Sequence, residues 1–139
     1  MNKKLTIFLI LLGIAFASSI EPDQEINESI KRGKEVYVLY CQNCHMEDGN
    51  GIPGINPPLA KADYLKKPAK TLINVILKGL SDEVVVNGNK YNVPMPAQEY
   101  LTDMQIADVL NYTKNSWGNK IPGVVSPEMV ENLRKINNP

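Results

Sequence analysis

The stretch Cys41-Gln42-Asn43-Cys44-His45 constrains this chain more than any other. It holds both cysteines and the sole histidine of the 139-residue sequence. Two cysteines spaced two apart, followed at once by histidine, form the attachment pattern of a c-type haem. The chemistry needs this spacing. Each thiol adds to one vinyl group, and two intervening residues let both sulfurs reach neighbouring edges of the porphyrin. The next residue then projects toward the iron, where a neutral imidazole is a good proximal ligand. Cys41 and Cys44 are therefore expected to anchor one covalent haem c, with His45 as its fifth ligand.

Other chemistries use a bare Cys-x-x-Cys, including zinc sites and thiol-redox motifs. A tetrahedral zinc site needs four ligands, and two cysteines with one histidine fall short. A thioredoxin-like motif opens a helix after a strand in a βαβ unit. Here the residues ahead of Cys41 read as helix, with no such unit around them. A simple structural disulfide stays open.

The chain opens Met1-Asn2-Lys3-Lys4, runs apolar from Leu5 to Ala17, and closes on small residues at Ala15-Phe16-Ala17-Ser18-Ser19. A basic start, a short apolar core and an A-x-A-like end predict a secretory signal peptide over 1–19, cleaved after Ala17 or Ser19. The run is shorter than the roughly 20 residues that span a bilayer comfortably. An uncleaved anchor is the competing reading. Export to the periplasm suits covalent haem, which is attached outside the cytoplasm, and it equally permits disulfides. The formal charge is zero, and a cleaved leader takes Lys3 and Lys4 but no acid, leaving −2. No basic surplus points to nucleic acid.

Residues 20–27 read as a polar, acidic linker. Asn27 can cap a helix whose stripe is Ile30, Gly33, Tyr37, Tyr40, Cys41 and Cys44. Gly33 is anomalous there, since a mid-helix glycine costs about 1 kcal/mol against alanine. A close helix–helix contact would account for it. Dense glycines and prolines predict a loop from Met46 to Leu59. A short helix is expected near Asp63–Lys66, and a stronger one over Pro68–Leu80 with Leu72, Ile73, Ile76, Leu77 and Leu80 on one face. Gly79 is placed to end it. Asn87-Gly88 between β-prone residues predicts a small hairpin. Thr102-x-x-Gln105 is a capping box, starting a helix over Asp103–Asn115 with Ile106, Val109, Leu110 and Thr113 buried. The extension 119–139 has its own start at Ser126-Pro127-Glu128 and a short helix with Met129, Val130 and Leu133 on one face.

A haem in an electron carrier is usually six-coordinate. With one histidine, a bis-histidine site within the chain is excluded, and methionine is the next common choice. Met46 follows His45 directly and cannot reach the other haem face. Met104 sits in a helix's first turn, and Met129 in the extension. Met95 lies in Val93-Pro94-Met95-Pro96, where flanking prolines stiffen the loop. Met95 is the expected sixth ligand, so that His45 and Met95 would together hold the iron.

At this point the chain resembles a class I, monohaem bacterial cytochrome c over about residues 28–118. The markers are Gly33 with Tyr37, the Cys41–His45 motif, Pro57-Pro58-Leu59, the Met95 loop, and Leu110 to Tyr112. The resemblance implies an all-α class I cytochrome c fold wrapped round one covalent haem, with the small hairpin before the methionine loop. It implies that the first and last helices of that unit cross at Gly33, with Tyr37 near Val109 and Tyr112. It implies that the Pro57 carbonyl accepts the His45 ring N–H and that Leu59 lines the haem pocket. The Asn87–Pro96 and Asn115–Asn119 stretches are similar to cytochrome domains that serve alone or alongside nitrite reductases, oxidases and dehydrogenases.

The expected function is one-electron transfer between periplasmic or membrane redox protein partners, by a monomer or weakly associated protein that binds them weakly through a small interface. A fixed haem subunit of a larger, membrane-associated oxidoreductase is the alternative. A haem enzyme or gas sensor with a labile methionine is a further one. No nucleophile–base pair, paired-carboxylate site or phosphate loop offers other chemistry. The donor and acceptor, the potential, and the partner of the Met95 sulfur stay open, with Tyr91 a candidate for the last.

Overall fold

The computed structural model describes residues 22–137. The expected signal peptide over 1–19 lies outside them. Five α-helices and one hairpin follow in the order α1 (Pro22–Tyr40), α2 (Gln42–His45), a 3-10 turn (Asp63–Lys66), α3 (Ala69–Lys78), β1 (Val84–Val86), β2 (Asn89–Tyr91), α4 (Asp103–Asn115) and α5 (Pro127–Asn137). Among the described residues, no helix is long and apolar enough to cross a membrane.

Helix α1 begins at Pro22, so most of the 20–27 stretch expected to be a linker is helical, and Asn27 lies inside the helix. The reason is local. Proline suits the first helical position because its missing N–H has no partner there anyway. Asp23 and Glu25 in the first turn complement the helix dipole. The apolar stripe starts only later, which hid this polar first turn.

Helices α1 and α4 form the principal contact of the fold. They meet at Gly33. A Cβ on that residue would sit 2.0 Å from the Asp108 carbonyl oxygen and 2.8 Å from the Tyr112 Cβ. Only a residue without a side chain lets the backbones approach so closely. Beside the crossing, Tyr37 packs against Tyr112 and Trp117, with ring centroids 5.4 and 4.9 Å away. Such tilted aromatic pairs add stabilisation beyond the apolar area they bury.

Helix α4 is buried almost all round, and not only on its Ile106–Val109–Leu110–Thr113 stripe. Asp108 and Asn111 are buried too, and each has a partner. Asp108 accepts from Ser29 at 2.6 Å and from Arg32 at 2.6 and 2.9 Å. The Asn111 amide donates to Ser29 Oγ and to the Val125 carbonyl, and its oxygen accepts from the Val125 N–H, all at 2.9 Å. Lys114 donates to the Gly123 carbonyl. Burial pushes its pKa down.

These last contacts tie the extension to the rest of the chain. Val125 and Val130 are 1% and 0% exposed, and Leu133 is buried with them. Met129 is 46% exposed, so the expected face holds at Val130 and Leu133 but not at Met129. The hairpin pairs Val84 with Tyr91, as Asn87-Gly88 requires. Asn87 and Gly88 take φ of 50° and 79°, the left-handed values of a tight hairpin turn.

The Gly33 crossing generates a signed prediction. Gly33→Ala should gain about 1 kcal/mol of helix propensity, yet a net loss of about 1–3 kcal/mol is expected from overpacking against Asp108. Thermal unfolding checks it, and a stabilised variant would contradict the crossing.

Candidate functional site: an apolar cleft between His45 and Met95

The Cys41–His45 motif forms a single helical turn at the end of α1. Cys44 N and His45 N both bond to the Cys41 carbonyl, at 3.1 and 3.0 Å. The turn stops at Met46, whose φ of 63° reverses the chain. Two aromatic tips hold that reversal. Tyr37 Oη donates to the Met46 carbonyl at 2.6 Å, and Trp117 Nε1 donates to the Glu47 carbonyl at 3.0 Å. The aromatic cluster at the helix crossing therefore also sets where His45 begins.

The loop after Met46 folds back under the histidine. Gly51 N bonds to the His45 carbonyl at 3.0 Å, and Ile52 pairs with Asn56 in a short bridge. This brings the Pro57 carbonyl to 3.0 Å from His45 Nδ1, where the ring N–H can donate to it. Burial lowers the imidazole pKa, and the bond to Pro57 offsets this only in part. A ring oriented through Nδ1 leaves Nε2 without that bond and free to serve as a ligand. Asn119, which nothing in the sequence pattern singled out, secures the next stretch. Buried four residues beyond the end of α4, it donates to the carbonyls of Leu59 and Thr113, at 2.9 and 2.7 Å, and accepts from Lys61 N at 2.9 Å.

Met95 arrives from the other side of the chain. It forms a two-way backbone bridge with Leu80, at 2.9 Å each way. Gly79 makes room for this bridge. Its φ of 72° ends α3, and a Cβ there would lie 2.3 Å from the Met95 carbonyl oxygen. Further along the strap, Gln98 N bonds to the Ile76 carbonyl at 2.7 Å.

Five of the six expected site residues, Cys41, Cys44, His45, Leu59 and Met95, line one cleft. The sixth, Pro57, borders an adjoining cleft together with Cys44, His45 and Met95. Sequence reasoning missed several wall residues, namely Tyr40, Ile76, Pro96 and Gln98. Ile76 had been grouped with the core stripe of α3, but it is the member of that stripe that faces the cleft. Tyr91 borders the adjoining cleft beside Met95, yet among the described residues no hydrogen bond joins its hydroxyl to the sulfur. Met104 is 53% exposed and, like Met129, lies outside the cleft walls.

No disulfide joins Cys41 and Cys44, so both sulfurs can serve as attachment points. The donor set fits a haem. Two thiols stand on one helical turn, a neutral imidazole follows them, a thioether lies across the cleft, and the walls between are predominantly apolar.

Comparison with known proteins agrees with this geometry. The family profile described as Cytochrome c matches residues 30–117. The chain is 36% identical to cytochrome c-552 of Thermus thermophilus, over 98% of its own length and 86% of the relative's. It is 36% identical to the cytochrome c subunit of a quinone alcohol dehydrogenase of Gluconobacter oxydans, over 77% of its length but only 23% of that subunit's. A gluconate 2-dehydrogenase cytochrome c subunit of Pantoea cypripedii matches in the same way, at 36% identity over 74% of this chain and 24% of the relative. The chain belongs to the cytochrome c family. It carries haem c, covalently attached through Cys41 and Cys44, and it is an electron carrier rather than an enzyme.

Replacing both Cys41 and Cys44 by serine should abolish covalent haem. Haem staining after denaturing electrophoresis, with intact-protein mass, checks this. Retention of haem under denaturing conditions would contradict the attachment.

Proposed function

We propose that this protein is an exported one-electron carrier whose haem iron is held between His45 and Met95. The observation that carries the reading is that these two residues, from segments far apart in sequence, border one apolar cleft with both cysteines. When bound, the haem supplies an iron that takes up and gives back a single electron. The protein's part is to keep the surroundings of that iron constant. Pro57 holds the imidazole tautomer and ring direction through Nδ1. The Leu80 bridge holds the backbone of Met95. A thioether ligand favours the ferrous state and raises the potential. The apolar walls, including Leu59, Ile76, Val109 and Leu110, exclude water and act in the same direction.

We read electron exit as lying on the cysteine side of the site, against partners that bind through a small interface. We read the partners as redox proteins, the compartment as the periplasm, the leader 1–19 as cleaved, and 28–118 as the haem unit. The alignment with the c-552 protein runs over nearly the whole chain, extension included, which supports a carrier that works alone. The dehydrogenase cytochrome subunits favour a second reading, a haem subunit within a membrane complex. Co-purification with a dehydrogenase from the native membrane would select the second.

The test of the ligand set is Met95→Ala in the haem-loaded protein. The oxidised wild type should show the weak far-red methionine–iron band, and its reduced form should not respond to carbon monoxide. The variant should lose the band, bind carbon monoxide and have a lower reduction potential. A wild type that binds carbon monoxide and lacks the band would replace this reading with an accessible iron.

A further inference from the structure

Resting on the reading of Met95 as iron ligand, we propose that Arg134, on the C-terminal helix α5, is a positioning residue for that ligand. The strap carrying Met95 has short-range ties of its own, Gln98 Nε2 to the Pro96 carbonyl at 3.1 Å and Tyr100 Oη to Gln98 Oε1, but these join it only to itself. Pro94 and Pro96 have no N–H to donate, and Val93 is 47% exposed. After the bridge at Leu80 and the Gln98 bond to Ile76, the chain must still turn into α4. The turn at 99–101 is held by the buried Leu101, by Tyr100 packed edge-on against Tyr40, and, at its backbone carbonyls, by one guanidinium. Arg134 Nη1 donates to the Glu99 carbonyl and Nη2 to the Leu101 carbonyl, both at 2.8 Å. Arg134 Nε donates to Asp103 Oδ1 at 2.9 Å, at the first residue of α4.

A planar fork with fixed donor directions suits this task, because it grips two carbonyls and a carboxylate in one rigid unit. The fork has a fixed base. Val130 and Leu133 bury α5, Asn137 bonds to Asn74 of α3 at 3.0 Å, and Asn111 grips Val125 just ahead of the helix. Thus α3, which carries the Gln98 anchor at Ile76, and α5, which carries the Arg134 anchor, are themselves joined. The strap is clamped between them. The extension thereby reaches the site without touching the cleft, since Arg134 is not among its walls.

The inference separates from mere stabilisation of the fold by what each variant changes. In the haem-loaded, full-length protein, the far-red band would be followed with temperature, and the affinity of the oxidised protein for added imidazole would be titrated. Arg134→Met keeps the length and removes the donors. It should lose the band well below global unfolding and bind imidazole about tenfold more tightly, the factor that one hydrogen bond to a charged group is worth. Arg134→Lys keeps the charge beside Asp103 but cannot fork, so it should behave like Arg134→Met. Leu65→Ala, buried in the 3-10 turn away from the clamp and the cleft, is the control. It should lower the unfolding temperature and leave imidazole affinity unchanged. Wild-type imidazole affinity in Arg134→Met, or an equal change in Leu65→Ala, would overturn the positioning role. Full rescue by Arg134→Lys would overturn the fork. Absence of the band from the wild type, or its survival in Met95→Ala, would instead overturn the ligand reading and this inference with it.

Discussion

The contact on which the rest of this structure depends is the passage of the Gly33 backbone across the Asp108 carbonyl. A glycine there costs helix propensity, and the fold recovers it by bringing two helix axes together at a distance no side chain permits. Everything near the haem is then placed relative to that crossing. Four residues on, Tyr37 is 1% exposed and packs between Tyr112 and Trp117. Its hydroxyl and the Trp117 indole N–H hold the carbonyls of Met46 and Glu47. The turn carrying both cysteines and the histidine lies between the crossing and those two anchors. A shift of α1 along α4 would therefore displace the thiols, the imidazole and the Pro57 loop together.

The second dependence is polar. Asp108, Asn111 and Lys114 face inward, where unpartnered groups would each cost on the order of 1–3 kcal/mol or more. Among the described residues no buried side-chain nitrogen or oxygen lacks a partner. The partners come from both ends of the chain. Ser29 and Arg32 lie on α1, and Gly123 and Val125 lie in the extension. The extension is thus what allows α4 to carry polar residues on the side away from the cleft. Ion pairs such as Lys31–Glu28 and Lys135–Glu131 are exposed and add little by comparison.

How much of this was legible in the sequence depended on whether the signal was local. The capping box at Thr102 and Gln105, the Asn87-Gly88 turn and the glycine at the end of α3 are patterns within a few residues, and each element stands where its pattern predicts. Gly33 was legible as an anomaly, though the identity of its neighbour came only through the family resemblance. Pro22 was missed as a helix start because the first turn of α1 has polar residues and no stripe. Asn119 and Arg134 were invisible for a different reason. Each acts by donating to backbone carbonyls far away in sequence, and carbonyls carry no residue identity to search for. Ile76 shows the related limit for apolar residues. Periodicity places a side chain on a face, but cannot say whether that face meets protein or cofactor.

The same distinction explains why the walls of the cleft are built as they are. An iron that changes charge by one needs ligands that stay in place, and neither an imidazole nor a thioether holds itself. The imidazole is oriented by a carbonyl within a loop closed by its own backbone bonds, from Gly51 to His45 and from Ile52 to Asn56. It also shares a turn with the covalent anchors, so attachment and ligation restrain one another. The thioether has no such neighbour. Met95 depends on the Leu80 bridge just beyond α3, on Gln98 against Ile76 of α3, and on the turn beyond, which Arg134 of α5 grips and which packs through Tyr100 on Tyr40 of α1. In the proposed ligation the two ligands would therefore be held largely by different elements, joined where Tyr100 meets Tyr40. The methionine side, with no covalent link to the cofactor, would be the side whose loosening opens the iron, and the packing of α3, α4 and α5 against one another would resist that opening.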